Sequence, residues 1–233
     1  MKLSELVFRT VKNAVYLDDV SFTYDSFKRD FDIFNDSAEY GNYIQNAMLG
    51  INEAIARLND LNRIPFRISD KLEVSDNQVT LPEYITITNT NANKNVYIKE
   101  IIAVARVTKG GIIPINFRQL SKTQIYVFVG RADDIQVEFK LDIPHFSNND
   151  FRYEESLETG ELVETKDIDL YTFGISDSMC NYIMEYASAK LTSDVNESVS
   201  NLHINRAEQY FSNIAPYRSA FAQSVVIPKY TIY

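Results

Sequence analysis

The stretch SDSMCNYIMEYASAKLTSD, Ser176 to Asp194, followed by ESVSNLHINRAEQYFSNIAPY, Glu197 to Tyr217, decides how this chain is read. Ser176 or Asp177 is placed to cap a helix, because a side-chain oxygen there accepts a hydrogen bond from a free first-turn N–H. Met179, Ile183, Tyr186, Ala187 and Leu191 then recur near one helical face. In the second segment Val199, Leu202, His203, Ala207, Tyr210, Phe211 and Ile214 form a stripe of the same period, and Pro216 ends it by lacking an N–H. The pattern predicts two helices packed as a hairpin.

Upstream, Lys2 to Ala14 carries Leu3, Leu6, Val7, Val11 and Ala14 at amphipathic spacing, with Ser4 as an early cap. A longer helix is predicted over Ala38 to Asn62, where Tyr43, Ile44, Ala47, Met48, Ile51, Ala54, Ile55 and Leu58 repeat at three and four residues. Gly41 and Gly50 weaken it by roughly 1 kcal/mol each relative to alanine. The intervening Val15 to Asn35 is rich in Asp, Phe and Tyr and shows no readable period.

From Phe66 the period changes to two. Ile68, Leu72 and Val74, the turn Ser75-Asp76-Asn77, then Val79 and Leu81 read as a hairpin. Asn89 to Asn95 reads as a loop tip. Val96 to Val107, Ile112 to Phe117, Gln124 to Gly130 and Asp134 to Pro144 are strand-like. Ile135, Val137, Phe139, Leu141 and Ile143 alternate with Gln136, Glu138, Lys140 and Asp142, the pattern of a sheet with one wet face.

The fold class expected is α+β, an antiparallel helical bundle with an inserted antiparallel β lobe. Residues 1–65 supply its N-terminal helices, 66–149 the β-rich lobe and 150–176 an acidic connector; 177–215 form a C-terminal helical hairpin and 216–233 a docking tail. Ile44, Met48, Ile51, Ile55, Ile183, Leu191 and Phe211 are the expected bundle core.

At 233 residues, 45% apolar and 24% charged, the composition reads as soluble and globular. A run of ~18 apolar residues, as a membrane span requires, does not occur. Charges interrupt the apolar pattern of MKLSELVFRTVKN, unlike a secretory signal. Cys180 is the single cysteine, which excludes an intrachain disulfide and points to a reducing cytoplasm during assembly. Net charge is -9, concentrated locally: Asp150 to Asp177 holds nine acids against Arg152 and Lys166, a balance of -7. Such a run either solvates a loop, repels DNA phosphate or meets a basic partner.

Catalytic signatures are sparse. The two histidines, His145 and His203, read as structural, and GxxxxGK[ST], GxGxxG, GxSxG and HExxH patterns are absent. Asp18-Asp19 and Asp133-Asp134 are adjacent acids of a kind common in loops. The expectation is no catalytic residue, no cofactor and no metal site, and no basic aromatic surface gripping nucleic acid. After Pro216, YRSAFAQSVVIPKYTIY has no negative charge and many apolar groups. Such a tail is costly in water unless it docks, on its own domain or on a neighbour.

YIQNAMLGINEAIARLNDLNRIPF (Tyr43 to Phe66), the VTLPE segment (Val79 to Glu83), CNYIMEYASAKLTSD (Cys180 to Asp194) and HINRAEQYF (His203 to Phe211) together resemble the head-to-tail connector, or tail adaptor, proteins of short-tailed bacteriophages, the tail tubular protein A-like family. The likeness spans most of the chain as pattern; the Val15 to Asn35 insertion and a larger β region depart from it. It implies a structural virion protein assembled in the host cytoplasm. This would be a ring of twelve copies beneath the portal, joining the DNA-filled head to the next tail ring or tail tube protein. DNA would pass through the lumen without specific binding. The resemblance places the C-terminal segment at the portal, so Tyr217, Phe221, Val225, Val226, Ile227, Tyr230 and Tyr233 are the expected portal-docking residues. The competing classes are a receptor- or carbohydrate-binding β module and a cell-wall hydrolase.

Overall fold

The computed structural model describes residues 1–15, 22–37, 40–88, 93–128 and 134–221. In chain order the elements begin with α1 (Leu3–Val15), α2 (Tyr24–Arg29), α3 (Phe31–Asp36) and α4 (Tyr40–Asp60). Strands β1 (Arg67–Ile68), β2 (Gln78–Thr80), β3 (Tyr84–Ile87), β4 (Lys94–Thr108), β5 (Gly111–Pro114), β6 (Phe117–Gln119), β7 (Gln124–Val127) and β8 (Asp134–Leu141) follow. The chain continues through β9 (Phe151–Glu155), β10 (Leu162–Asp167), α5 (Asp177–Thr192) and α6 (Glu197–Asn213). It divides into two compact units. The first comprises Met1–Arg63, Ile87–Lys94 and Pro144–Ala215; the second holds Ile64–Thr86, Asn95–Ile143 and the segment from Pro216.

In the first unit α5 packs against α1, α4 and α6. The α4–α5 approach is set by Gly50: a Cβ there would lie 2.9 Å from Ala187 Cα and 3.0 Å from Ala187 Cβ. Gly41 has a similar reason, since a Cβ would meet the Asn35 carbonyl oxygen at 2.3 Å. The two glycines that weaken α4 as an isolated helix therefore permit its packing. Ile44, Met48, Ile51, Ile55, Ile183 and Leu191 are buried, and Phe211 is half-buried with its ring 5.3 Å from that of Tyr182.

In the second unit β1, β8, β4 and β3 lie in that order in a five-stranded sheet, with β5 paired to β4. A separate three-stranded sheet runs β2-β7-β6. Pairings of β8 with β1 and β4, and of β7 with β2 and β6, are antiparallel.

An antiparallel bundle with one inserted β lobe is not what forms. The fold is mixed α/β, with six helices and three antiparallel sheets among the described residues, and one sheet, β9-β10, belongs to the helical unit. The expectation gave each helix a single apolar stripe, whereas α1 buries eight of its thirteen residues, including Ser4, Phe8 and Thr10. Part of that surface meets the short α2, which itself packs on β9. Residues 150–176 are accordingly not a bare connector: they contain the β9-β10 hairpin.

Two local expectations also change. Asp76 and Asn77 do turn with positive φ, closed by a Ser75–Gln78 bridge, but β1 pairs with β8 and β2 with β7, so the two are not hairpin partners. Nor does β8 keep a wet face, because Glu138 and Lys140 are buried beside Val137, Phe139 and Leu141. The segment after Pro216 explains Glu138: the Ala220 N–H donates to its Oε1 at 3.0 Å, and the Ser219 hydroxyl to Oε2.

Replacing Gly50 with leucine should cost about 1–3 kcal/mol, since overpacking at the α4–α5 contact exceeds the gain in helix propensity. Urea denaturation of the variant checks this, and wild-type stability would show that the helices do not touch at Gly50.

Candidate functional site

An open pocket of about 450 Å³ lies in the first unit where α2 and α3 meet the base of β9-β10. Its construction begins in the stretch that showed no sequence period. Thr23 caps α2 with its hydroxyl, and Ser26 answers by bonding back to the Thr23 amide, which fixes where the helix starts. That start brings Phe27 inward, 5.4 Å from the Phe31 ring, while Phe31 meets Phe151 of β9 edge-on at 4.7 Å. The aromatic residues of this region thus form a packed cluster that includes Phe8, Phe22, Phe34 and Tyr40. Phe27 and Phe151 are buried, and Phe31 is half-exposed at the pocket.

Lys28, Arg29, Arg152 and Lys166 line the same pocket, opposed by the single carboxylate of Asp32. Three of these cations are already engaged. Lys28 Nζ lies 2.9 Å from Asp25 and 4.6 Å above the Tyr24 ring; Arg152 Nε is 3.1 Å from Glu154; Lys166 Nζ donates to the Asn149 carbonyl at 2.6 Å. Arg29 is exposed and has no recorded ion pair among the described residues. The Asn148 amide donates to Asn35 Oδ1 at 2.7 Å, which leaves Asn148 Oδ1 buried with no partner at the pocket wall.

Two buried carboxylates hold this region together. Asp150 receives Lys94 Nζ at 2.8 Å and the Ser147 amide at 2.9 Å, with Lys166 Nζ 3.4 Å away. Burial alone would raise its pKa, but the Lys94 and Ser147 hydrogen bonds and the charges of Lys94 and Lys166 outweigh burial and hold it below the usual 3.8. Asp167, at the end of β10, takes the Ser4 amide at 3.2 Å and the Ser4 hydroxyl at 2.6 Å, and the Tyr153 hydroxyl donates to it as well. Ser4 is not the cap of α1; it sits inside the helix, and Asp167 supplies the acceptor its first turn needs. Burial raises the Asp167 pKa and pushes the Tyr153 and Tyr24 hydroxyls up too.

His203 is fully buried on α6, its Nδ1 2.6 Å from Glu185 Oε2 and its Nε2 without a partner. His145 is exposed. Cys180 is buried, and burial pushes its thiol up to about 12. Asp134 pairs with Lys71 at 3.3 Å. Asp18, Asp19 and Asp133 lie outside the described residues. Among the described residues no group of three or more His, Cys, Asp or Glu is placed to hold a metal ion, and no helix is long and apolar enough to cross a membrane.

Of the expected portal-docking residues, Tyr217 is partly exposed and meets Phe66 edge-on at 5.2 Å. Phe221 requires a correction. It is 3% exposed, packed on Ala103 and Ala105 of its own β4, so it is not a free anchor for another protein. Val225, Val226, Ile227, Tyr230 and Tyr233 lie outside the described residues.

The basic aromatic pocket was not anticipated. One signal was available: Arg152 and Lys166, the only cations in the acidic stretch, become cross-strand partners once β9 and β10 pair. Neither protein-family models nor curated proteins match the chain.

Asp150→Asn should lose about 2 kcal/mol at neutral pH, the scale of a hydrogen bond to a charged group. Because the folded pKa is depressed, that contribution is present above 3.8 and lost as pH falls through the folded value, so the gap from wild type should close in acid. Asp167→Asn should behave oppositely. Its raised pKa makes the wild type relatively most stable below 3.8 and progressively less so as pH rises through the folded value. Thermal melts across the acid range measure both; parallel curves would refute the assignment.

Proposed function

We propose that this chain is a structural virion protein whose copies form a ring beneath the portal, join the DNA-filled head to the tail and surround the exit channel. The observation that carries the reading is the way α6 distributes its side chains. It buries Ser200, His203 and Ala207, and leaves Leu202, Ile204 and Tyr210 exposed. A helix whose fully buried residues are small or polar, and which leaves three large apolar ones on its surface, suits a subunit completed by neighbours. Val195, Leu49 and Ile33 add further exposed apolar area in the same unit. The likeness of Tyr43 to Phe66, Cys180 to Asp194 and His203 to Phe211 to connector proteins supplies the kind of assembly. The net charge of -9 suits passage of DNA without specific binding, since like charge repels phosphate.

Native mass spectrometry and electron microscopy of the protein with and without portal test the reading; a ring on portal, of about twelve copies if symmetry matches, is expected. The tail-docking part needs a cut placed by the structure. Stopping after Ala215 would remove Ser219, Ala220 and Phe221 and strand the buried Glu138 carboxylate, so that variant should be unstable in its second unit. Stopping after Phe221 keeps those contacts. The shorter cut should fold yet fail to join heads, and undiminished portal binding would sink the docking role of the last twelve residues.

A further inference from the structure

The β9-β10 hairpin carries opposite charge at its two ends. Between Glu154 and Glu164 it has five acids and no cation, whereas Arg152 and Lys166 at its base line the pocket with Lys28 and Arg29. Leu157, in the turn, is fully exposed between Glu155 and Glu158, a large apolar side chain held out in water by its backbone. Glu155, Glu158 and Glu161 have no recorded ion pair among the described residues, while Glu154 and Glu164 are engaged by Arg152 and Lys2. The pocket offers the complementary set, with Phe31 beside buried Phe27 and Phe151 and a cationic rim.

The hairpin cannot fill its own pocket. Leu157 is five residues along an extended strand from Arg152, about 16 Å at 3.3 Å per residue, and the paired strands hold the turn away from the base.

We infer that the pocket formed by α2, α3 and the base of β9-β10 receives the acidic β9-β10 turn of a second copy of this chain, Leu157 lying against the Phe31 ring at the pocket wall and Glu155, Glu158 and Glu161 facing the cationic rim. The inference rests on the ring reading and names one of its subunit contacts. Leu157 supplies an apolar anchor in a concave site, and the surrounding charges fix orientation and hasten encounter. Arg29 is the rim cation that makes no ion pair among the described residues, its charge being felt at Asp25 from a distance.

Charge reversal tests the contact in the full-length protein. Arg29→Glu and the triple change Glu155→Lys, Glu158→Lys, Glu161→Lys touch exposed side chains, so each should fold with an unchanged circular dichroism spectrum and melt. Sedimentation should show wild-type self-association weakening with added salt, and each reversal lowering it by roughly tenfold or more. A chain carrying Arg29→Glu with one of the three turn reversals should recover part of the association that Arg29→Glu loses, because one contact again pairs opposite signs while Lys28, Arg152 and Lys166 still face the remaining glutamates. Leu157→Ser should weaken association without changing its salt dependence. A wild-type chain that remains monomeric at low salt, reversals that associate like wild type, or a combined variant no better than Arg29→Glu would each overturn the contact. Self-association sensitive to the Arg29 change alone would also overturn it, showing that the pocket takes a different acidic segment of this chain. Portal binding is scored separately. Rings on portal that ignore the reversals would remove this contact and leave the connector reading intact; charge-dependent self-association without portal binding would do the reverse.

Discussion

The close approach of α4 to α5 at Gly50 and Ala187 is the contact on which the helical unit depends. Bringing two helices this near leaves no room for a Cβ, and it makes α5 a shared wall for α1, α4 and α6. A helix surrounded in this way cannot put all its polar residues in water. Glu185 and Ser188, both buried, find partners on neighbouring helices. Ser188 donates to the Thr10 carbonyl and accepts from Asn13, both on α1; the Ala189 carbonyl accepts from Ser200 on α6; Glu185 holds His203. These are hydrogen bonds between helices, and they specify which neighbour sits on which side of α5 in a way that apolar contact alone does not.

The N-terminal aromatic cluster acts on the same unit from another direction. Phe8 of α1 meets Phe22, Tyr24 and Phe27, and Phe27 and Phe31 reach Phe151. Asp167 ties the first turn of α1 to β10, and Asp150 ties Lys94 and Lys166 to the start of β9. Packing and paired charge together hold the hairpin base rigid. Beyond it, Glu155, Leu157, Glu158 and Glu161 are exposed.

The long periodic segments were readable because their apolar residues recur over several turns: α4, α5 and α6 run within a few residues of the expected bounds. What escaped depended on partners distant in sequence. Glu138 looked solvated because nothing in β8 announces that Ser219 and Ala220 will cover it, 81 and 82 residues later. Phe221 looked exposed for the same reason, its seat on Ala103 and Ala105 being set by tertiary structure. Local pattern identified the turn at Asp76 and Asn77 but not the strands it separates, since sheet partners are chosen by register across the whole unit. The pocket was hidden most completely, because its cations come from two segments, Lys28 with Arg29 and Arg152 with Lys166, more than a hundred residues apart.

The polarity of the hairpin also bears on what kind of oligomer it can build. A turn bearing five acids on a two-fold axis would meet the same five acids, with nothing to neutralise either set, so turn-to-base pairing through a two-fold contact has to be reciprocal, each turn entering the partner's pocket away from the axis. The same pairing made heterologously would have each copy present its acidic end to one neighbour and its basic aromatic pocket to another. Such a contact leaves one end unsatisfied at every finite open chain. Closure is then favoured over a terminated row, because the last acidic turn and the first empty pocket satisfy each other when the rotation between neighbours returns to its start. The separation of charge along one short hairpin thus fits a reciprocal dimer as well as a ring, and the number of copies in the complex decides between them.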